Sequence, residues 1–129
     1  MSDNIVKSFE AAEDLSAKRY YAVQPSSGDK KCALGTNSER CLGILQNKPE
    51  SGEVAQVVIA GICPAIINTN SLSVGDFLTS DTLGKLVQTA AADEFVIAML
   101  VDDSDTVLAG DVRDVMVLHM IAHAADTGM

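Results

Sequence analysis

His119 and His123 stand four positions apart, a spacing that on a helix would bring two imidazoles to one face, where they could ligate a metal ion. The run before His119, from Val112 to Leu118, alternates like a strand instead, and over four strand positions the rings would stand more than about 10 Å apart. Asp126 is the only further ligand type nearby, so two solvated or interface histidines are the plainer reading and no metal is expected. Asp102, Asp103 and Asp105, followed by Asp111 and Asp114, form the densest acidic cluster. A calcium loop of the EF-hand kind counted from Asp103 needs Gly at its sixth position and Glu at its twelfth, and here Leu108 and Asp114 occupy them. A solvated acidic loop is expected.

The other reactive residue types are equally sparse. Cys32, Cys41 and Cys63 are an odd number at spacings that fit neither a disulfide framework nor a zinc site, which favours reduced, intracellular synthesis. Cys63 precedes Pro64 within an apolar run and should be buried and inert. There is no Gly-rich phosphate loop before a helix, no Gly-x-Ser-x-Gly elbow and no distributed set of His, Asp and nucleophile, so neither an enzyme nor a cofactor is expected. Lys85 sits beside a turn, as the modified lysine of lipoyl and biotinyl carrier domains does. Its flanks, Leu83-Gly84-Lys85-Leu86, lack the Asp-Lys-Ala or Met-Lys-Met context of those domains, which ranks that reading low. A net charge of −9 repels a phosphate backbone and argues against direct nucleic-acid binding. The first ten residues lack a signal-peptide core and no apolar stretch approaches the roughly 18 residues that span a bilayer, so a soluble chain made in the cytoplasm, with no membrane partner, is expected.

The elements that carry these residues follow one plan written twice. Leu15-Ser16 opens the first copy and Leu72-Ser73 the second. Each copy continues as a hairpin turning at Gly28 or Gly84, then an apolar strand (Arg40 to Leu45, or Phe95 to Leu100), then a polar loop. The loop closes on Gly52-Glu53-Val54 or Gly110-Asp111-Val112 before a last strand, Val54 to Ala60 or Val112 to Leu118. The expected organisation is an arm over residues 1–14, two halves at 15–67 and 72–118 joined at Asn68 to Ser71, and a tail over 119–129. The fold class is all-β, a small β-barrel or β-tulip of two similar halves with an extended N-terminal arm. Pro64 lacks an N–H donor and places Gly61 to Ile67 at a sheet edge or bend.

Hydrophobic residues make up 47% of the chain and aromatics only 4%, so the core must be built from Val, Ile, Leu and Ala, with apolar surface left to bury against other copies or another protein. In the last strands Val57 and Ile59, like Val115 and Val117, should face the core. Val58 and Met116 fall on the opposite face and are candidates for an intersubunit contact. Ile5, Val6 and Phe9 are the large apolar residues of the arm and would anchor it on a neighbour. Met120 and Ile121, where the tail begins, complete the candidate contact residues.

Gly75-Asp76-Phe77-Leu78-Thr79-Ser80-Asp81-Thr82-Leu83-Gly84-Lys85-Leu86-Val87, followed by Phe95-Val96-Ile97-Ala98-Met99-Leu100, resembles the Gly-Asp-x-Leu-Thr-Ser-Asp-x-x-Gly-Lys and Val-Ile-Gly-x-Ala-Leu pattern of small head decoration proteins of tailed bacteriophages. Cys41 to Leu45 and Gly52 to Gly61 look like the matching first half, so the similarity spans roughly residues 15 to 118. The resemblance implies a compact barrel or tulip that binds the major capsid protein on the outside of the head. It also implies a homotrimer, commonly at three-fold or quasi-three-fold positions, that stabilises the shell. Tail-fibre and baseplate modules share the same hairpin and give the alternative. The long acidic arm and the His-bearing C-terminus depart from the pattern, and those ends could engage the capsid protein or a neighbouring subunit.

Overall fold

Short runs rich in Val, Ile, Leu and Phe, punctuated by Gly and Asp, form strands wherever they can pair and turns where glycine admits a positive φ. The computed structural model describes residues 4–36, 40–89 and 95–121, with side chains up to Leu118, and the described residues contain no helix. Among the described residues there are nine strands: β1 (Ile5–Ala11), β2 (Ala22–Pro25), β3 (Lys31–Leu34), β4 (Gly43–Leu45), β5 (Val54–Ile66), β6 (Phe77–Ser80), β7 (Leu86–Gln88), β8 (Phe95–Leu100) and β9 (Val112–Ile121). They form one continuous sheet in the order β1-β3-β2-β4-β5-β9-β8-β6-β7, and an additional β1–β5 pairing closes its first five strands into a barrel.

The segment expected to be an extended arm supplies the closing strand. β1 runs parallel to β3 through Glu10↔Lys31 and Ala11↔Cys32, and antiparallel to β5 through six pairs from Ile5↔Ala60 to Glu10↔Val54. A barrel this small is filled by side chains alone. Ala11, Leu15, Val23, Cys32, Leu45, Ala55 and Val57 occupy the interior, with Phe9, Leu34, Leu42 and Ile59 packed against them. Each fully buried Leu or Val contributes roughly 1.5–3 kcal/mol.

The second half repeats the first in both order and register. The hairpin β6–β7 pairs with β8, and β8 with β9, as β2–β3 pairs with β4, and β4 with β5. Ala22↔Ile44 corresponds to Phe77↔Met99, both members shifted by 55 positions. Leu45↔Val57 corresponds to Leu100↔Val115. The strand that plays the part of β1 is the C-terminal stretch of β5 itself. It pairs antiparallel with β9 from Gly61↔Val117 to Ile66↔Val112, and a parallel bridge, Ile67↔Leu86, brings it to β7. The closing backbone bonds agree as well. Ala11 N–H donates to Glu53 O (2.9 Å) and Gly52 N–H to Ala11 O (2.8 Å), while Ile67 N–H donates to Asp111 O (2.8 Å) and Gly110 N–H to Ile67 O (2.7 Å).

β5 therefore serves both units, and Gly61 lies where it passes from one to the other. Its φ of +111° and the approach of Asn4, whose Cα would lie 2.9 Å from an added Cβ, exclude a side chain there. Beyond Gly61 the edge of β5 away from β9 is served by isolated partners: Ile62 N–H donates to Asn4 Oδ1 (2.8 Å) and Ile66 N–H to Tyr20 O (3.0 Å). Pro64 lies midway between them, so its missing N–H falls on the edge that carries no ladder. Sequence placed this proline at an edge; it sits in a strand that is central yet open on one side.

The two faces of the shared sheet divide adjacent residues between two cores. Val23, Leu45 and Val57 point into the first barrel, while their neighbours Ala22, Ile44 and Val58 join Cys63, Ala65, Leu78, Leu86, Ile97 and Val115 in the larger second core. Val58 is only 2% exposed, which corrects its assignment as an intersubunit contact. It does face away from the first barrel, but the chain's own second unit covers that side.

Candidate interaction face

Among the described residues no group of three His, Cys, Asp or Glu side chains could hold a metal ion. His119 is placed by its backbone in β9, and His123 and Asp126 lie outside the described residues. Cys32, Cys41 and Cys63 are buried. Burial pushes the Cys32 thiol up to about 11, helped by Glu13, and the Cys63 thiol up to about 12, helped by Asp114.

The acidic loop is organised around a cation that sequence reasoning passed over. Arg113 Nη2 donates to Asp105 Oδ1 (2.6 Å), Asp111 Oδ2 (2.9 Å) and the Thr106 carbonyl (3.1 Å), and Nη1 lies 3.9 Å from Asp102 Oδ1. Asp111 also accepts the Leu108 N–H at 3.0 Å, and this bond, followed by Arg113, holds its carboxyl below the usual carboxylate value. Asp102 is lowered mainly by its hydrogen bonds with Ser104, and Arg113 is raised by Asp111 and Asp105. The position equivalent to Arg113 in the first unit is Ala55, since each follows its Gly turn by three residues. The cluster thus ties the loops at one end of the second unit to β9.

The motif from Gly75 to Val87 has a local, structural explanation. Asp76 Oδ2 accepts the Ser73 N–H (2.9 Å) and Asp81 Oδ1 accepts the N–H groups of Leu83 (2.8 Å) and Lys85 (3.0 Å). Gly75 and Gly84 have φ of +97° and +83°. These residues shape the turns at either end of β6.

What the fold does assemble is an apolar exterior. Ile62 pairs with Met116, Met116 with Met99 and Met99 with Phe77. Directly paired residues on neighbouring strands share a face, so the four form one row across β5, β9, β8 and β6, about 14 Å wide at the usual strand spacing. Ile62 is 48% and Phe77 39% exposed, and the two methionines between them are partly exposed. At β1 the register shifts between Ile5 and Val6, which pair with Ala60 and Val58. Such a bulge re-aims side chains, and here it turns two successive residues to the outer face. Ile5 and Val6, about half exposed, extend the apolar surface past Ile62, to which Asn4 is tied by two hydrogen bonds.

The structure therefore places Ile5, Val6 and Met116, three of the residues singled out from sequence, on one outer surface. Phe9 packs against the first barrel's core instead, and Val58 is buried. For Met120 and Ile121 the described feature is backbone pairing, with Val96 and Phe95. Sequence reasoning missed Ile62, Met99 and Phe77. The alternation in each strand carried the signal, but the register that aligns them across strands was not legible.

No family model matches the chain, and no curated protein matches it. Among solved structures, it is similar to the N base of the head fibre protein gp8.5 of bacteriophage phi29, with a TM-score of 0.68 and 17% identity, over 93% of this chain and 99% of that one. At that identity the likeness is one of fold, and it spans both units.

Proposed function

We propose that the chain is a non-catalytic structural protein of a phage virion that binds the outer surface of the capsid, assembles as a homotrimer and stabilises the head. The observation that carries this reading is the likeness in fold, over nearly the whole of both chains, to the base of a head fibre. The decoration-type motif in Gly75 to Val87 supports it from an independent direction. So does an uncovered apolar row on a chain of net charge −9, which suits attachment to protein better than to nucleic acid. The mechanism is burial of apolar surface across capsomer boundaries, so that parting the shell must expose that surface again. Repeated attachment over a lattice strengthens contacts that are individually weak.

Co-sedimentation with expanded, undecorated capsids tests the reading. Saturable binding, with a rise in the temperature at which the shells release their contents, is expected. Protein that stays in the supernatant at every ratio would overturn it.

A further inference from the structure

We propose that the row Ile62–Met116–Met99–Phe77 is the surface on which a second copy of this chain docks. The inference deepens the self-assembly part of the reading above and does not need the capsid.

The internal repeat carries it. The same register that builds this row in the second unit builds a corresponding row, Val6–Val58–Ile44–Ala22, in the first. There Val58, Ile44 and Ala22 are 2%, 0% and 0% exposed, because they belong to the core shared with the second unit. The outer row of one unit is thus a surface that a unit of this same fold covers. On the second unit the row is left open, and its residues are larger and more adaptable, Met and Phe where the first unit has Ile, Val and Ala. Methionine and phenylalanine suit a contact that must form between chains, since the thioether adjusts its shape and packs well on aromatic rings. Another copy is the partner that brings a unit of this fold.

Charge points the same way. Two chains of −9 repel wherever their acidic surfaces meet, which favours association through a face that carries no charge. The four residues of the row, with Ile5 and Val6 beside them, are all uncharged.

Sedimentation velocity of the full chain, from about 1 to about 300 μM at moderate salt, tests the proposal. The wild type is expected to form a discrete oligomer. Ile62→Glu and Met99→Glu are each expected to raise the dissociation constant at least about a hundredfold, since an unpaired carboxylate would be buried in the contact. Val54→Glu, at an exposed apolar position in the first unit, should leave it unchanged. Thermal melts establish that each variant is folded. A wild type that is monomeric throughout would overturn the proposal, as would an oligomer indifferent to both row variants or equally disrupted by Val54→Glu. An oligomer that responds as expected but fails to bind capsids upholds this inference and sinks the capsid reading.

Discussion

Gly43→Ala is the substitution that tests the packing of the two units most sharply. Gly43 lies opposite Val23 in β4, and a Cβ built on it would collide with the Val58 carbonyl oxygen and lie 2.9 Å from both the Val58 carbonyl carbon and Val57 Cγ1. The second unit carries Ala98 at the corresponding position, opposite Leu78, so the restriction belongs to the tighter β4–β5 approach of the first barrel and not to the topology. Overpacking costs about 1–3 kcal/mol, and the upper end applies because the obstacle is backbone in a strand shared by both cores. Unfolding entropy of about 2.1 cal/mol/K per residue, over 129 residues, converts about 3 kcal/mol into a Tm drop of about 11 °C. Gly52→Ala is the matched control. It has open space around its Cβ and a φ of +87°, so only left-handed strain of about 1–2 kcal/mol acts, and the same conversion gives about 4–7 °C. Differential scanning calorimetry of the two variants decides the matter. A Gly43→Ala melt that falls no further than that of Gly52→Ala would refute the reasoning.

Phe9→Ala should lower stability by about 2 kcal/mol, roughly half the cost of truncating a fully buried Phe, because its ring packs against the first barrel's core from β1; chemical denaturation measures it, and an unchanged midpoint would mean that β1 does not hold the barrel closed. Asp102 and Asp111 have lowered carboxyl values in the fold, so their contribution is present above the ordinary carboxylate value and is lost as pH falls through the depressed one. Arg113→Leu should therefore flatten the acid limb of a Tm profile below about pH 4, and an identical limb would show that the Arg113 cluster is inert. Cys32 and Cys63 titrate higher folded than unfolded, so their stabilisation is intact below about pH 9 and declines as rising pH ionises the unfolded thiols. Both should resist a thiol reagent at pH 8 until the chain is denatured, when all three cysteines react; fast labelling of either in the native state would contradict their burial.

The repeat was legible because its signals are local: the Gly turns at Gly28, Gly52, Gly84 and Gly110, and the strand runs that follow them, depend on residues close in sequence. The hairpins expected around Gly28 and Gly84 are β2–β3 and β6–β7. What the chain pairs at a distance was not legible. Ile5–Ala11 looked like an extended arm reaching to a neighbour because a closing strand has no turn signal linking it to β5, some fifty residues away. Gly61 to Ile67 could be placed only at a sheet edge or bend, because its counterpart in the repeat is that same strand. Val58 and Met116 occupy corresponding positions, one buried and one partly exposed. Their alternation could not show the difference, since it arises from one unit packing on the other. Arg113 was overlooked for a related reason: charge runs drew attention to the acids, while the single residue that gathers three of them lies beyond the loop.

Cryo-electron microscopy of intact virions tests attachment to the outside of the head. Density for tandem units on the outer surface of the head, at repeated positions over the capsomers, is expected. Density confined to the tail or baseplate, or none on the capsid exterior, would contradict it.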